Sequence, residues 1–331
     1  MKTKILQILR QSEDYVSGQE LCESLGVSRT AVWKAIKQLR EKGYEIEAVQ
    51  NRGYRLAVIP DVLSQQEIES CIRTKWLGHK VFYYDEIDST NTEAKRRAEE
   101  GAPHGTLIVA DMQSAGRGRR GRGWESPHNQ GIFFTILLRP EIEPTNAPML
   151  TLVMAMAVTR AISNCTGLKA EIKWPNDVVV NGKKVVGILT EMSAQIDYVN
   201  HIVIGTGINV HQETFPEELA EKATSLDMEL KQQEKTLNVS RAQLLEKILE
   251  QFEECYEKYI RTQDLSNLME EYNQNLVNMG RRVRVLDPLG EFEGSALGIN
   301  EHGSLRVEKD NGEIAEISSG EVSVRGIYGY V

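Results

Sequence analysis

The segment Gly116-Arg117-Gly118-Arg119-Arg120-Gly121-Arg122-Gly123 places four arginines and four glycines in eight residues. Guanidinium groups keep their charge at physiological pH and present planar forks that fit phosphate oxygens, while glycines leave the backbone free to move. Such a loop can close over a polyphosphate, or over negative charge developing on phosphorus. It is not a P-loop, because the GxxxxGK[ST] spacing is missing. Taken by itself it also fits an RGG-like nucleic-acid-binding tract. Its place between two β-rich runs, Thr106 to Ala110 and Ile132 to Leu138, argues instead for a folded site.

A second dense motif is Lys173-Trp174-Pro175-Asn176-Asp177, which runs into Val178-Val179-Val180, a hairpin turn at Asn181-Gly182, and then Lys183-Lys184 at the start of Val185 to Leu189. Pairing these strands brings Asp177 near Lys184. On the hairpin alone, a surface salt bridge is the favoured account of that pair. Gly205-Thr206-Gly207-Ile208-Asn209 ends a further strand, and its small residues allow a ligand close to the backbone, although G-x-G alone is weak. The six histidines show no ligand spacing, and His104 and His128 read as loop residues. Cys22, Cys71, Cys165 and Cys255 lie far apart with no CxxC, so neither a disulfide framework nor a structural metal site is expected, and no nucleophilic side chain is assigned.

These residues need a scaffold, and the runs between Val81 and Asn209 supply one. Strand-like segments (81–84, 106–110, 132–138, 170–174, 178–180, 185–190, 202–204) alternate with helical patterns at about 91–100 and 149–164. The layout expected is an α+β fold, a mixed sheet with helices on one face. An amphipathic helix from Ser240 to about Thr262 serves as scaffold. From Arg281 to Val331, short strands with turns at Pro288-Leu289-Gly290, His302-Gly303 and Asn311-Gly312 predict a small SH3-like barrel.

The first 60 residues read differently. A helix from Lys2 to Gln11 precedes an S-x-x-E capping box at Ser17–Glu20 and a glycine turn at Gly26. A second helix then starts at Ser28, with Ala31, Val32, Ala35, Ile36 and Leu39 at helical spacing. Two short strands, 43–49 and 54–58, joined by Gln50-Asn51-Arg52-Gly53 complete a winged helix-turn-helix. Ser28, Arg29, Thr30, Trp33, Lys34, Lys37 and Arg52 are the candidate DNA-facing residues, with Trp33 open between core and base contact. A protein-binding helical domain is the bland alternative. Residues 1–58 hold ten Lys/Arg against seven Asp/Glu, +3, so the rest of a chain of net charge −9 carries −12. Only this end suits a polyanion. Another capping box at Ser64–Glu67 opens a linking helix expected to reach Lys75. The expected divisions are 1–60, a linker 61–78, 79–278 and 279–331.

At 331 residues there is room for two or three domains. The start of the sequence lacks an apolar leader, and the apolar stretch Met149 to Ile162 is too short to cross a bilayer. No membrane role and a reducing cytoplasm are therefore expected.

In order and spacing, Asp88-Ser89-Thr90-Asn91, GRGRRGRGW, KWPND, Lys184 to Gly187 and Gly205 to Asn209 together resemble bifunctional bacterial biotin protein ligases, as do the winged helix and the small barrel. The resemblance implies a class II synthetase-like ligase fold and, as substrates, biotin and ATP, with Mg²⁺ on the ATP and no tightly bound metal. It implies that Ser89, Thr90, Asn91, Gln113, Gly116, Arg117, Gly118, Arg119, Lys184 and Gly187 hold biotin. Arg119, Arg120, Arg122, Trp124, Asn176, Lys184 and Asn209 would hold the nucleotide, and Lys184, Arg117, Arg119 and Asp177 would carry catalysis. The implied partners are biotin carboxyl carrier domains of acetyl-CoA and pyruvate carboxylases and operator DNA. A homodimer promoted by biotinyl-5′-AMP is expected, because a single weakly basic winged helix binds DNA poorly. A ligand-sensing repressor without catalysis and a lipoate-type ligase are the competing readings.

Overall fold

Ser17 and Ser28 each begin a helix, their hydroxyl oxygens accepting a first-turn amide from Glu20 and Ala31 respectively. The computed structural model describes residues 1–12, 14–286, 290–318, 323–326 and 330–331. Its first elements are α1 (Lys2–Gln11), α2 (Gly18–Leu25), α3 (Arg29–Glu41) and the antiparallel pair β1 (Glu45–Val49) and β2 (Gly53–Val58). Ile5, Leu6, Leu9, Leu21, Val32, Ile36, Leu39 and Ile46 bury a single small core, which makes this segment a winged helix-turn-helix. Gly53, at φ 114°, is required at the wing: a Cβ there would lie 2.1 Å from the carbonyl oxygen of Val16, which bonds the neighbouring Tyr54 amide.

The linking helix α4 (Gln65–Cys71) stops one turn before the expected Lys75. The central segment explains why. It contains β3 (Val81–Ile87), α5 (Thr90–Glu99), β4 (Thr106–Gln113), β5 (Gly131–Leu138), α6 (Met149–Thr166), β6 (Ala170–Lys173), β7 (Asp177–Val180), β8 (Lys183–Ala194) and β9 (Val199–Asn209). Then come α7 (Glu217–Ala220), α8 (Leu226–Gln232), α9 (Arg241–Thr262) and α10 (Met269–Gln274). From α9, the Glu253 carboxylate accepts the N–H groups of Lys75, Trp76 and Leu77 at 2.8, 2.9 and 3.1 Å, which pulls the chain out of helix and onto the sheet. At Ser64 only the hydroxyl half of the capping box forms. The carboxylate of Glu67 is fully buried and accepts from Arg10 and Tyr44 instead, tying α4 to the winged helix. The reciprocal box lies at Ser240 and Gln243, where α9 begins.

The seven central strands run in the order β3-β4-β5-β9-β8-β7-β6, parallel only between β3 and β4. Apolar residues alternate along them. Leu107, Val109, Ile136 and Ile204 face the main core with α6 and α9, while Ile108, Leu137 and Val203 meet Ala94 and Ala98 of α5. The two long helices α6 and α9 share one face, whereas α5, expected on that same face, covers part of the other, where its buried alanines, Ala94 and Ala98, pack against the sheet. The final strands, β10 (Arg282–Leu286), β11 (Phe292–Ile299), β12 (Leu305–Lys309), β13 (Ile314–Ile317) and β14 (Ser323–Gly326), form an antiparallel sheet ordered β13-β12-β11-β10-β14. Pro288 and Leu289 of the first expected turn lie outside the described residues. The sheet docks on the central segment where Trp174, 2% exposed, donates its Nε1–H to the Gly303 carbonyl.

Candidate active site and nucleic-acid interface

A bulge makes the Asp177–Lys184 pair. The register sets Asp177 opposite Gly187 and Val179 opposite Lys184, with a shift between Val178 and Val179. Asp177 and Lys184 therefore rise from the same face, with Nζ 2.6 Å from Oδ1. Burial opposes the charge on Asp177, but Lys184, Lys173 and a hydrogen bond from Tyr330 together hold its pKa below the usual carboxylate value.

The Gly/Arg-rich loop folds as a small hairpin above this pair. Gly118 donates to the Arg122 carbonyl at 2.7 Å and Trp124 to that of Gly116 at 3.0 Å, while Arg117 bridges Gly123. Arg119 turns inward, 3.0 Å from Asn176 Oδ1, and desolvation lowers its pKa. Arg117, Arg120 and Arg122 are exposed. The indole of Trp124 lies across the sheet, and a Cβ on Gly187 or Gly207 would stand 2.7 or 2.3 Å from it. A Cβ on Gly205 would stand 2.0 Å from Asn91 Oδ1. The small residues of Gly205-x-Gly207 thus make way for Asn91 and Trp124, and they also line the smaller cavity between these side chains.

Two cavities meet at Lys184. The smaller, about 50 Å³, is lined by Ser89, Thr90, Asn91, Gln113, Arg117, Gly118, Arg119, Lys184 and Gly187, joined by Trp124 and Asn176. Gly116 stands outside this lining and closes the loop hairpin. Gln113 Oε1 accepts from the Thr90 amide and hydroxyl at 2.9 and 3.1 Å, Thr135 Oγ1 donates to Asn91 Oδ1 at 2.7 Å, and Asn91 Nδ2 donates to Glu191 at 2.9 Å. Such a floor of neutral, prearranged donors and acceptors suits a neutral polar ring. The larger cavity, about 520 Å³, is lined by Arg119, Arg120, Arg122, Trp124, Asn176, Asp177, Lys184 and Asn209, with Phe215, Leu219, Lys222 and Tyr330. Arginine and lysine predominate among its charges, as a polyphosphate requires. Asn209 is itself held, donating to the Thr224 carbonyl at 3.1 Å.

The DNA-facing candidates separate into two groups. Thr30, Lys34 and Lys37 are solvent-exposed, and Trp33 is 54% exposed with Lys37 Nζ 5.8 Å from its ring, so Trp33 is not core. Ser28 caps α3. Arg29 is exposed and bonds Gln19 at 3.0 Å. Arg52 at the wing pairs with Asp14 at 2.8 Å and lies 4.5 Å from the ring centre of Tyr15. A groove of about 470 Å³ runs between Arg29 and the wing.

Residues 83–209 match the Biotin/lipoate A/B protein ligase family, residues 2–55 an HTH domain family, and residues 279–325 the Biotin protein ligase C terminal domain. The chain is 40% identical over 327 residues to the Bifunctional ligase/repressor BirA of Bacillus subtilis strain 168, covering 98% of each. This chain belongs to the bifunctional biotin ligase–repressor family. The Escherichia coli K12 Bifunctional ligase/repressor BirA is 30% identical over 324 residues, 97% of this chain and 96% of its own. The biotin protein ligase of Aquifex aeolicus, solved in complex with biotin and ATP, superposes with a TM-score of 0.64 at 31% identity, over 75% of this chain and 99% of that one. Every ligase motif quoted above falls within the matched 83–209 segment.

Sequence reasoning missed several residues of this biotin ligase–repressor site. Thr135 had a signal, since it is the one hydroxyl within the apolar run Ile132 to Leu138 and is fully buried. Glu191, Phe215, Leu219, Lys222 and Tyr330 had none, because nothing in their local pattern shows that the chain returns to the loop.

Proposed function

We propose that this family member converts biotin and MgATP to biotinyl-5′-AMP and passes biotin to a lysine of biotin carboxyl carrier domains, those of acetyl-CoA and pyruvate carboxylases. The observation that carries this reading is the meeting, at Lys184, Arg119 and Asn176, of a small cavity floored by neutral polar side chains and a larger cationic one. A biotin carboxylate oxygen attacks the α-phosphorus, the bond to the bridging oxygen breaks, and pyrophosphate leaves. Two anions approach each other, and Lys184 with Arg117 and Arg119 offsets the growing charge, with Mg²⁺ arriving on the triphosphate. The acceptor amine then bonds the biotinyl carbonyl carbon, AMP departs with the electron pair, and Asp177 takes the amine's proton.

ATP–pyrophosphate exchange is the test, run with biotin and with lipoate. Exchange that depends on biotin alone is the expected result. Exchange with lipoate alone identifies a lipoate ligase, and exchange with neither identifies a ligand sensor without catalysis.

Residues 1–60 bind the operator in this reading, through α3 in a major groove and the wing on the backbone, while 61–78 link them to the ligase segment, 79–278, and the small sheet, 279–331. The protein works in the cytoplasm. A net charge of +3 over residues 1–58 permits few phosphate contacts, so repression needs two copies bound together. Biotinyl-5′-AMP promotes that dimer by fixing the arginine loop. Sedimentation equilibrium is expected to show a tighter dimer with a non-hydrolysable adenylate analogue, and an unchanged dimerisation constant would exclude the mechanism.

A further inference from the structure

Beyond the last strand, the chain comes back to the reaction centre. The Tyr330 hydroxyl donates to Asp177 Oδ2 while Lys184 holds Oδ1 at 2.6 Å, so both carboxylate oxygens are engaged by side chains from different parts of the sequence. Lys173 Nζ lies 3.4 Å from the centre of the phenol ring, and Tyr330 shares the larger cavity with Arg119, Asn176 and Lys222. Val331 seats this segment on the β7–β8 turn, where a Cβ on Gly182 would be 3.1 Å from its side chain.

We infer that Tyr330 is a positioning residue for biotin transfer, its hydroxyl fixing the orientation of the carboxylate that receives the acceptor lysine's proton. This rests on the role of Asp177 proposed above. A carboxylate held by one ion pair can still rotate about its terminal torsion, and a second donor removes that freedom. Adenylation makes less use of the contact, because Asp177 takes no proton in that step and the cations that offset phosphoryl charge are Lys184 and the loop arginines. The ring has a separate part: it carries the Lys173 ammonium and forms a wall of the cavity through which an acceptor side chain reaches the adenylate.

The charged groups that act on or share the cavity with Asp177 are Lys184 of β8, Lys173 of β6 and Arg119 of the loop, with Arg120, Arg122, Glu125, Glu221 and Lys222 elsewhere in the cavity lining. The phenol's hydrogen bond favours the ionised carboxylate, so removing it raises the pH at which Asp177 takes up a proton.

The test compares Tyr330→Phe, Tyr330→Ala and Asp177→Asn in full-length protein by pyrophosphate exchange and by transfer from preformed biotinyl-5′-AMP to a purified carrier domain. Tyr330→Phe is expected to slow transfer roughly tenfold more than exchange, the loss of one charge-assisted hydrogen bond. It should also shift the acid limb of the transfer profile to higher pH and leave the half-saturating acceptor concentration near wild type. Tyr330→Ala, lacking the ring, should raise that concentration as well. Equal losses in both assays, or an unmoved acid limb, would overturn the inference. Transfer that survives Asp177→Asn defeats the underlying role of Asp177; transfer lost there but normal in Tyr330→Phe defeats only the part given to Tyr330.

Discussion

Lys184→Ala is expected to lower biotin-dependent pyrophosphate exchange by about 10² to 10³, the range for removing one prearranged charge donor aimed at a transition state, or about 3–4 kcal/mol. The lysine is three-quarters covered, fixed by Asp177 at 2.6 Å, and 5.2 Å from the ring centre of Trp124, so it needs little reorganisation when charge develops. The loss should fall on kcat more than on the KM for ATP, because the arginines around the larger cavity still hold the triphosphate. The substitution also removes a main cation from Asp177, whose carboxyl then protonates at higher pH than in the wild type. A Lys184→Ala, Asp177→Asn double variant separates the two effects: it removes the stranded carboxylate, so any recovery of exchange measures the harm done by that charge. Exchange within about threefold of wild type in the single variant would mean that the lysine is a structural partner only.

Arg241→Ala is expected to destabilise the protein by about 3–5 kcal/mol, the range for removing one partner of a buried ion pair. Arg241 is 1% exposed and donates to Asp111 Oδ1 at 2.9 Å, the Gly131 carbonyl at 3.1 Å and Asp61 Oδ2 at 3.2 Å. It thereby ties the start of α9 to two central strands and to the segment that leads from the winged helix. Truncation leaves the buried Asp111 carboxylate with His128 and the Asn129 amide as its partners. Guanidinium unfolding should show the loss as a lower midpoint, and a midpoint within error of wild type would refute it.

The same seam has a defined pH dependence. Hydrogen bonds to Asp61 and Asp227 raise the pKa of His211 above 6.5, despite opposing burial. Its contribution is therefore complete below 6.5 and lost as pH rises through the raised value. For Asp61 burial acts upward, but bonds from His211 and the Arg241 backbone leave the pKa below 3.8, so its contribution is present above 3.8 and lost on acidification through the lowered value. The seam is accordingly strongest in mildly acidic solution, and His211→Asn should flatten the alkaline side of that profile and, because His211 is one of the groups that lower Asp61, weaken the acid side as well.

Local chemistry made a large part of this molecule legible without coordinates. Helical spacing and serine caps announced α1 to α3, because those signals depend on residues three or four apart. The Asn181-Gly182 turn put Asp177 and Lys184 on neighbouring strands, and the composition of the arginine loop pointed to a phosphate-bearing ligand. Spacing could not show that a bulge aligns Lys184 with Asp177 on one face, since a bulge is a matter of strand pairing. Nor could it show that Gly187, Gly205 and Gly207 are small because Trp124 and Asn91 lie across them, or that Glu67 leaves its capping box for Arg10 and Tyr44. Residues far apart in the chain, such as Asp61 with Arg241 and Asp177 with Tyr330, meet only after the central sheet has formed. Their contacts arise from where burial and hydrogen-bond satisfaction bring distant segments together, and only the tertiary structure decides that.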